Sequence, residues 1–282
     1  MVGTPFDESE RRAWAGSAAA YETSFGRLCA YPIPPLLDAA GVGEGVRLLD
    51  VGTGTGAVAS AAAARRAEVV AVDAEPDMAR RARLAVPGVP VHVAALPQIP
   101  YRCGAFDAVV GNFVLNHVGR PKRALDELCR VARPGARIAL TIWAAPAAPG
   151  QALLGRAVRA AGVERPSHLP ALAPEDDFPR TMDGLAGLLR AAGLVDVGAR
   201  ALSWGHRTTP GEWWSGPAAG VATIGQIVLS RGPAVAERIR RHFAALAEEF
   251  TDGDGLLVLP HTALLAYGRV PEGVPALSRA AG

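Results

Sequence analysis

The chain has 282 residues, of which half are hydrophobic and 20% are charged, and its formal net charge is +2. So many apolar residues can bury a sizeable core, which excludes a chain that is disordered throughout. The small, dispersed positive charge argues against a nucleic acid or an anionic membrane as the partner.

Membrane spans, a leader and metal sites are not expected either. The sequence has no run of about 18 apolar residues, and its first residues, MVGTPFDESERR, lack the apolar segment of a leader. The three cysteines, Cys29, Cys103 and Cys129, form no CxxC pair, so neither disulfides nor bound metal are expected. We therefore expect a cytoplasmic protein.

The first predicted elements are helices. An apolar stripe with steps of four, three and four residues predicts one helix across residues 10–30, and it consists of Trp14, Ala18, Tyr21 and Phe25. A proline-rich break follows, and then a short helix that extends to Ala40.

From Val46 onwards, short apolar runs alternate with helical segments. The runs that predict the first five strands are VRLLDV, EVVAVD, VPVHVA, FDAVVGNF and RIALTIW. Two later strands, at 194–204 and at HTALLAYGR, bring the predicted total to seven. This alternation predicts an α/β protein with a Rossmann-like, doubly wound and mostly parallel sheet.

The second half of the chain contains two insertions, which lead to a prediction of five segments. Residues 1–143 would hold the N-terminal helices and the Rossmann-like core, and residues 144–180 a lid or substrate loop. A core helix and strand at 181–206 precede a helical lid insertion at 207–250. The last core strand and the tail occupy 251–282.

The strongest chemical signal is the glycine-rich turn GTGTG after the first strand. Gly52, Gly54 and Gly56 allow a sharp turn and let a ligand approach the backbone, while the following helix offers unpaired N–H groups. Asp73, at the end of the second strand, can accept hydrogen bonds from ribose hydroxyls. A nicotinamide enzyme remains possible on these features alone, because Gly52, Gly54 and Ala57 also satisfy GxGxxA.

The whole set of core segments resembles the class I S-adenosylmethionine (SAM) dependent methyltransferases. The segments that carry the resemblance are 48–56, 70–73, 99–101, 106–110, 112–118 and 130–142. The stretch FVLNHVGRPKRALDELCRVARPGARIALTIW is most similar to the small-molecule subgroup that includes the ubiquinone and menaquinone biosynthesis enzymes. The likeness covers about residues 10–143. It implies SAM as cofactor and S-adenosylhomocysteine as its product.

The resemblance also implies a set of cofactor-binding residues, namely Tyr21, Asp50, Gly52, Thr53, Gly54, Gly56, Asp73, Met78, Ala95, Leu96 and Asn112. Asp50 would orient the glycine turn and reach the methionyl ammonium, to which the Asn112 backbone carbonyl would also bind. Met78 would pack on the adenine, and Tyr21 would close over the methionine end.

One position departs from the family pattern. Ala95 stands where the family often has an acid that accepts from the adenine amino group. The backbone N–H of Leu96 could still meet the adenine ring. Adenine recognition would then depend on packing or on Gln98.

Candidate substrate-binding and catalytic residues are aromatic residues and histidines. His117 follows the fourth strand, and either a general base or a structural residue fits this position. His206 could likewise be a base, or a solvent-facing loop residue. Trp143, Trp213 and Trp214 are the expected residues of the substrate pocket, with one of the adjacent pair able to anchor the lid instead.

These observations predict a methyltransferase that transfers a methyl group in line to O, N or C of a hydrophobic small molecule, in secondary or quinone-type metabolism. The alternatives are a cyclase that keeps SAM without using its methyl and a non-catalytic SAM-binding subunit of a partner protein. A nicotinamide dehydrogenase is the fourth possibility. The expected state is a monomer or a homodimer, without nucleic acid or membrane partners.

Overall fold

The computed structural model describes residues 3–273 and contains one seven-stranded sheet. The strands are β1 (Arg47–Val51), β2 (Glu68–Asp73), β3 (Val91–Val93), β4 (Phe106–Asn112), β5 (Ala132–Trp143), β6 (Val195–Thr208) and β7 (Leu257–Arg269). Their order across the sheet is β3-β2-β1-β4-β5-β7-β6, and only β7 is antiparallel to its neighbours. The predicted doubly wound, mostly parallel sheet is confirmed.

Helices cover both faces and the carboxyl edge of this sheet. Their bounds are α1 (Pro5–Trp14), α2 (Ala18–Thr23), α3 (Gly26–Ala30), α4 (Ile33–Ala39), α5 (Ala57–Ala64), α6 (Pro76–Ala85), α7 (Pro121–Val131), α8 (Pro149–Ala160), α9 (Met182–Ala191), α10 (Pro210–Ala218), α11 (Ala222–Leu229) and α12 (Pro233–Ala247). None of the helices within residues 3–273 combines the length and apolar character needed to cross a membrane.

The core forms because successive residues of each buried strand point to opposite faces of the sheet. Leu49 belongs to the apolar cluster that includes Leu125 of α7, whereas the adjacent Leu48 belongs to the cluster that includes Leu36 of α4. A third cluster, centred on α8 and α12, packs these helices on the start of β7. Both faces are therefore filled, and the carboxyl edge is left for a ligand site.

The predicted single helix across residues 10–30 is wrong. The chain leaves α1 at Gly16, which has a φ of +68°, and the segment forms the three short helices α1, α2 and α3. A left-handed residue ends a right-handed helix, and glycine adopts that conformation without steric cost. Trp14 and Tyr21 nevertheless meet edge to face, with ring centroids 5.6 Å apart.

Strand β6 is longer than predicted. It pairs with β7 from Val195 to Thr208, so that His206 lies inside a strand and not in a loop. Helices α10 and α11, with α12, occupy the segment for which a helical lid is predicted. The division into five segments, with two lids, remains a prediction.

Candidate functional site

A cavity of about 410 Å³ lies at the edge of the sheet where β1, β2, β4 and β5 end. This volume is within the range of small-molecule sites, and this edge is where open α/β sheets bind ligands. The predicted site residues that line it are Tyr21, Gly52, Gly54, Asp73, Met78, Ala95, Leu96, Asn112, His117, Trp143 and Trp213. An adjoining cavity of about 260 Å³ shares Tyr21, Gly52, Gly54 and Asn112 with it and is also lined by Thr53.

Four of the predicted residues line neither cavity. They are Asp50, Gly56, His206 and Trp214. Each of them instead contacts other parts of the protein, as described below.

The three glycines of the turn have positive φ angles, but a side chain at each would meet different surroundings. A Cβ on Gly52 would lie 2.7 Å from Cγ2 of Val114, and one on Gly56 would lie 3.2 Å from the backbone of Ala82 in α6. Among the described residues, a Cβ on Gly54 would have only the edge of the Tyr21 ring within 4 Å, at 3.8 Å. The absence of a side chain at Gly56 thus lets the turn pack closely against α6, whereas its absence at Gly54 leaves space for a ligand.

Asp73 holds the turn from the end of β2. Its carboxylate accepts hydrogen bonds from the backbone N–H of Gly54 at 2.8 Å and of Glu75 at 2.9 Å. Burial raises the pKa of Asp73, and these two hydrogen bonds oppose the rise. Because a carboxylate offers about four lone-pair sites, two remain for ligand hydroxyls in the cavity.

Asp50 supports the turn from within the core. It is fully buried, and its Oδ2 accepts a 2.6 Å hydrogen bond from the Thr53 hydroxyl. Its Oδ1 has no hydrogen-bond partner among the described residues. Burial raises the pKa of Asp50 to about 7, while the Thr53 bond lowers it. Asp50 is joined to the loop through Thr53 but does not itself line the ligand cavity, and its role toward the cofactor stays a prediction.

The end of β4 is fixed by the side chain of Asn112. The amide donates to the Cys29 carbonyl at 2.7 Å and accepts from the Thr141 hydroxyl at 2.6 Å. Thr141 in turn accepts from the N–H of Phe113, whose φ is +61°. These hydrogen bonds occupy both polar atoms of the Asn112 side chain. A ligand contact at this position would therefore fall to its backbone carbonyl, as the resemblance implies.

The far side of the cavity, where adenine is expected, has an apolar wall. Met78 is 3% exposed and lines it together with Ala95 and Leu96. Gln98 is exposed and is not among the lining residues. Two modes of adenine recognition are predicted. Residues for packing therefore line the cavity, whereas Gln98 does not.

Helix α1 covers the cavity and is fixed by polar contacts to the segment after β4. The buried carboxylate of Glu10 lies 2.7 Å from Nδ1 of His117 and accepts from the Trp14 indole N–H at 3.3 Å. Asp7 accepts from the backbone N–H of Gly119 at 2.7 Å. His117 thus lines the cavity and also fastens α1, so the geometry leaves both of its predicted roles open.

Replacing Gly119 by alanine should loosen this cover. Its Cβ would overlap the Thr4 hydroxyl and lie 2.8 Å from Asp7 Oδ2, so α1 must shift. We expect the free energy of unfolding to fall by about 1–3 kcal/mol, the usual cost of overpacking. Urea denaturation measures this, and trypsin should cleave faster at the exposed Arg11.

A suitable control is Gly43→Ala, because a Cβ there would meet no described residue within 4 Å. Equal stability and equal cleavage of the two variants would contradict the proposed fastening of α1.

The opposite end of the cavity is aromatic. This aromatic end consists of Phe113, Trp143, Trp213 and His261. Phe113 stacks on Trp143 with centroids 4.1 Å apart. The ring centroids of Trp213 and His261 are 5.5 Å apart, whereas Trp214 stacks on Phe243 of α12. One indole of the adjacent pair therefore lines the cavity, and the other packs α10 on α12.

Two buried histidines lie at this end, and only one of them lines the cavity. His206 and His261 are each 2% exposed, and His261 is the lining residue. Burial lowers the pKa of both rings to about 4, so both are neutral near pH 7. Sequence reasoning missed His261, because its only signal was its place near the start of the last strand.

Comparisons with known proteins give the same family. A family profile described as "Methyltransferase domain" matches residues 49–140. A demethylmenaquinone methyltransferase of Clavibacter sepedonicus is 34% identical over 173 residues, which cover 57% of this chain and 70% of that protein. The chain belongs to the class I SAM-dependent methyltransferases. The family's cofactor, SAM, is therefore the cofactor of this chain.

Other relatives extend this comparison. The demethylmenaquinone methyltransferase of Beutenbergia cavernae is 32% identical, with 60% of this chain and 74% of that protein covered. An uncharacterized Mycobacterium tuberculosis protein is 33% identical over 58% of this chain. The match spans 62% of that mycobacterial protein.

Solved structures share the fold at low identity. The YcgJ protein of Bacillus subtilis matches with a TM-score of 0.54 and 18% identity, covering 86% of this chain and 98% of that one. The cyclase SpnF matches with a TM-score of 0.51 and 22% identity, covering 89% of this chain and 83% of that one. At such identities the likeness concerns the fold alone.

The residues present fit SAM. Gly54 leaves open space beside the carboxylate of Asp73, as a nucleoside at this turn requires. The fully buried Asp50 has an unpartnered oxygen next to the turn, which suits a nearby cationic group. The smaller cavity adjoins the first residues of α5 and is lined by Arg27, which suits a carboxylate.

Proposed function

We propose that this chain methylates a hydrophobic, aromatic small molecule. The observation that carries the proposal is one continuous cavity that joins the bare turn at Gly54 to the aromatic end. The relatives named demethylmenaquinone methyltransferases support an acceptor of this kind, including one from quinone-type metabolism. The acceptor would lie on Trp143 and Trp213, which can stack on a flat ring.

Each part of the cavity would have a distinct task. Bound SAM supplies a methyl group on a sulfonium centre. Asp73 would bind the ribose hydroxyls, the Asn112 carbonyl the ammonium, and Arg27 the carboxylate. The aromatic end would hold the acceptor in line with the methyl group, and orientation alone can be worth an effective molarity of about 10⁵ M or more.

The rest of the chain would exclude water from the reacting atoms. Helix α1 closes one side of the cavity through Glu10 and Trp14, and α10 closes the other through Trp213. Since the positive charge of the sulfonium disperses when a neutral or anionic acceptor attacks, an apolar cavity favours the transition state.

The direct test is incubation with methyl-labelled SAM and a panel of hydrophobic aromatic compounds. Label in an organic product would support methyl transfer. Tight SAM binding without label in any product would favour the alternative of a SAM-retaining cyclase or a non-catalytic SAM-binding subunit. Calorimetric titration with NAD in parallel tests the dehydrogenase hypothesis, which predicts tight NAD binding and none for SAM.

Asp73→Asn should weaken SAM binding by about 10-fold, the scale for losing a hydrogen bond to a charged group. The amide has a single acceptor oxygen, which cannot serve the backbone N–H groups of Gly54 and Glu75 and the ribose together. Calorimetry with SAM measures the change. The matched control is Asp107→Asn, because Asp107 also accepts from a backbone N–H, that of Arg47, but at the amino edge of the sheet. Unaltered affinity in Asp73→Asn would place the ribose elsewhere.

A further inference from the structure

We propose that His261 is a catalytic residue that accepts the proton of a hydroxyl group on the acceptor, so that the methyl group is transferred to oxygen. The inference rests on the proposed function and specifies the acceptor atom. It is carried by the geometry of the imidazole and by its place in the cavity lining beside Trp143 and Trp213.

The ring of His261 is held in one tautomer. Its Nδ1 lies 2.9 Å from the backbone carbonyl oxygen of Leu259. Because a carbonyl oxygen can only accept, Nδ1 must carry the hydrogen, and in the neutral ring Nε2 then carries a lone pair. Nε2 makes no hydrogen bond to any residue among 3–273.

The imidazole of His261 lies among aromatic rings that also line the cavity. Its ring centroid is 5.8 Å from that of Trp143 and 5.5 Å from that of Trp213. A flat aromatic acceptor on these rings would bring its substituents next to the imidazole. A hydroxyl group fits the lone pair of Nε2, because its hydrogen can be donated to a nitrogen.

The neutral ring suits the reaction in two ways. Burial keeps His261 uncharged near neutral pH, so it does not repel the cationic sulfonium that the same cavity would hold. Its Nε2 also has a lone pair that can take up a proton. The acceptor hydroxyl becomes strongly acidic as its oxygen acquires the methyl group, so even a weakly basic imidazole can receive the proton late in the reaction.

The proposed step is balanced. A bond forms between the acceptor oxygen and the methyl carbon, and the carbon–sulfur bond breaks with its electron pair remaining on sulfur. The hydroxyl proton passes to Nε2 of His261, and from the imidazolium to water after the product leaves. One positive charge is present before and after the transfer, on sulfur first and then on the imidazole.

Binding of simple probes can test this without knowledge of the natural acceptor. The protein saturated with S-adenosylhomocysteine is titrated with 2-naphthol and with naphthalene, which differ only by the hydroxyl group. We expect wild type to prefer 2-naphthol by about 2- to 10-fold, the effect of one net hydrogen bond. His261→Phe should remove the preference while an aromatic ring still fills the site.

His206→Phe is the matched control, because His206 is equally buried and contacts Trp213 but does not line the cavity. It should keep the preference for 2-naphthol. Unchanged affinity for S-adenosylhomocysteine shows that a variant is folded, and His261→Leu replaces His261→Phe if that variant fails this check.

The outcomes separate the two proposals. A preference that persists in the His261 variants, that disappears equally in His206→Phe, or that is absent from wild type would overturn the role of His261. Failure of wild type to bind S-adenosylhomocysteine would instead contradict the proposed function itself.

Discussion

Gly54→Val should abolish useful SAM binding while the sheet remains folded. The added side chain would enter the cavity, because within residues 3–273 only the Tyr21 ring edge lies within 4 Å of the Cβ position. We expect at least about a 100-fold loss of affinity, since the isopropyl group and the nucleoside would claim the same space. Calorimetry with SAM measures the affinity, and circular dichroism checks the fold.

Backbone strain is separated from ligand exclusion by a second variant. Gly45 has a φ of +75°, and a Cβ there would meet nothing within 4 Å in the part of the chain that the structure describes. It precedes β1 at the opposite edge of the sheet, so Gly45→Val carries the same left-handed strain away from the cavity. If both variants bound SAM as wild type does, the turn at Gly54 would not be the cofactor site.

His206→Phe should stabilise the protein, and more so at acidic pH. Both ring nitrogens of His206 are buried without partners among the described residues, so an apolar ring of similar shape removes an unpaired polar group. Burial lowers the pKa of His206 to about 4, with Arg27 adding to the shift and Glu212 opposing it. The unfolded chain, with the ordinary value near 6.5, therefore takes up the proton first.

The sign of the pH effect follows from this difference. The neutral ring contributes its full stability above the unfolded pKa of about 6.5 and loses it as the pH falls towards 4. Between pH 7.5 and 5.0, wild type should lose at most about 2 kcal/mol relative to His206→Phe. Asp50, whose pKa is raised, acts in the opposite direction but is common to both proteins and cancels in the comparison.

Urea denaturation of both proteins at the two pH values gives this difference directly. A gap between the two free energies of unfolding that stayed constant with pH would show that His206 does not titrate below its ordinary range.

The core of the fold was predictable from the sequence because its signals are local. Each buried strand is a short apolar run such as EVVAVD, and turns and prolines mark where helices begin. The GTGTG turn and Asp73 also follow from short stretches of sequence, since a strand, a tight turn and a helix are consecutive in the chain. The resemblance to the methyltransferases rests on the same segments.

The three glycines of the turn look alike in the sequence, and only tertiary contacts distinguish them. A side chain at position 52 would crowd Val114, and one at position 56 would crowd Ala82. Both of these neighbours lie more than twenty residues away in the chain. The same holds for the tryptophan pair, because the choice between cavity and helix packing depends on where α12 lies.

The sequence by itself determined the sheet and the glycine turn, because each of these depends on residues close together in the chain. Only the tertiary structure decided which of His206 and His261 reaches the cavity. Strands β6 and β7 pair antiparallel, which places His206 and His261 at neighbouring positions, and packing against Trp213 and Trp143 leaves His261 at the lining. Burial and pairing partners of that kind arise from long-range contacts, which no periodicity in a single sequence encodes.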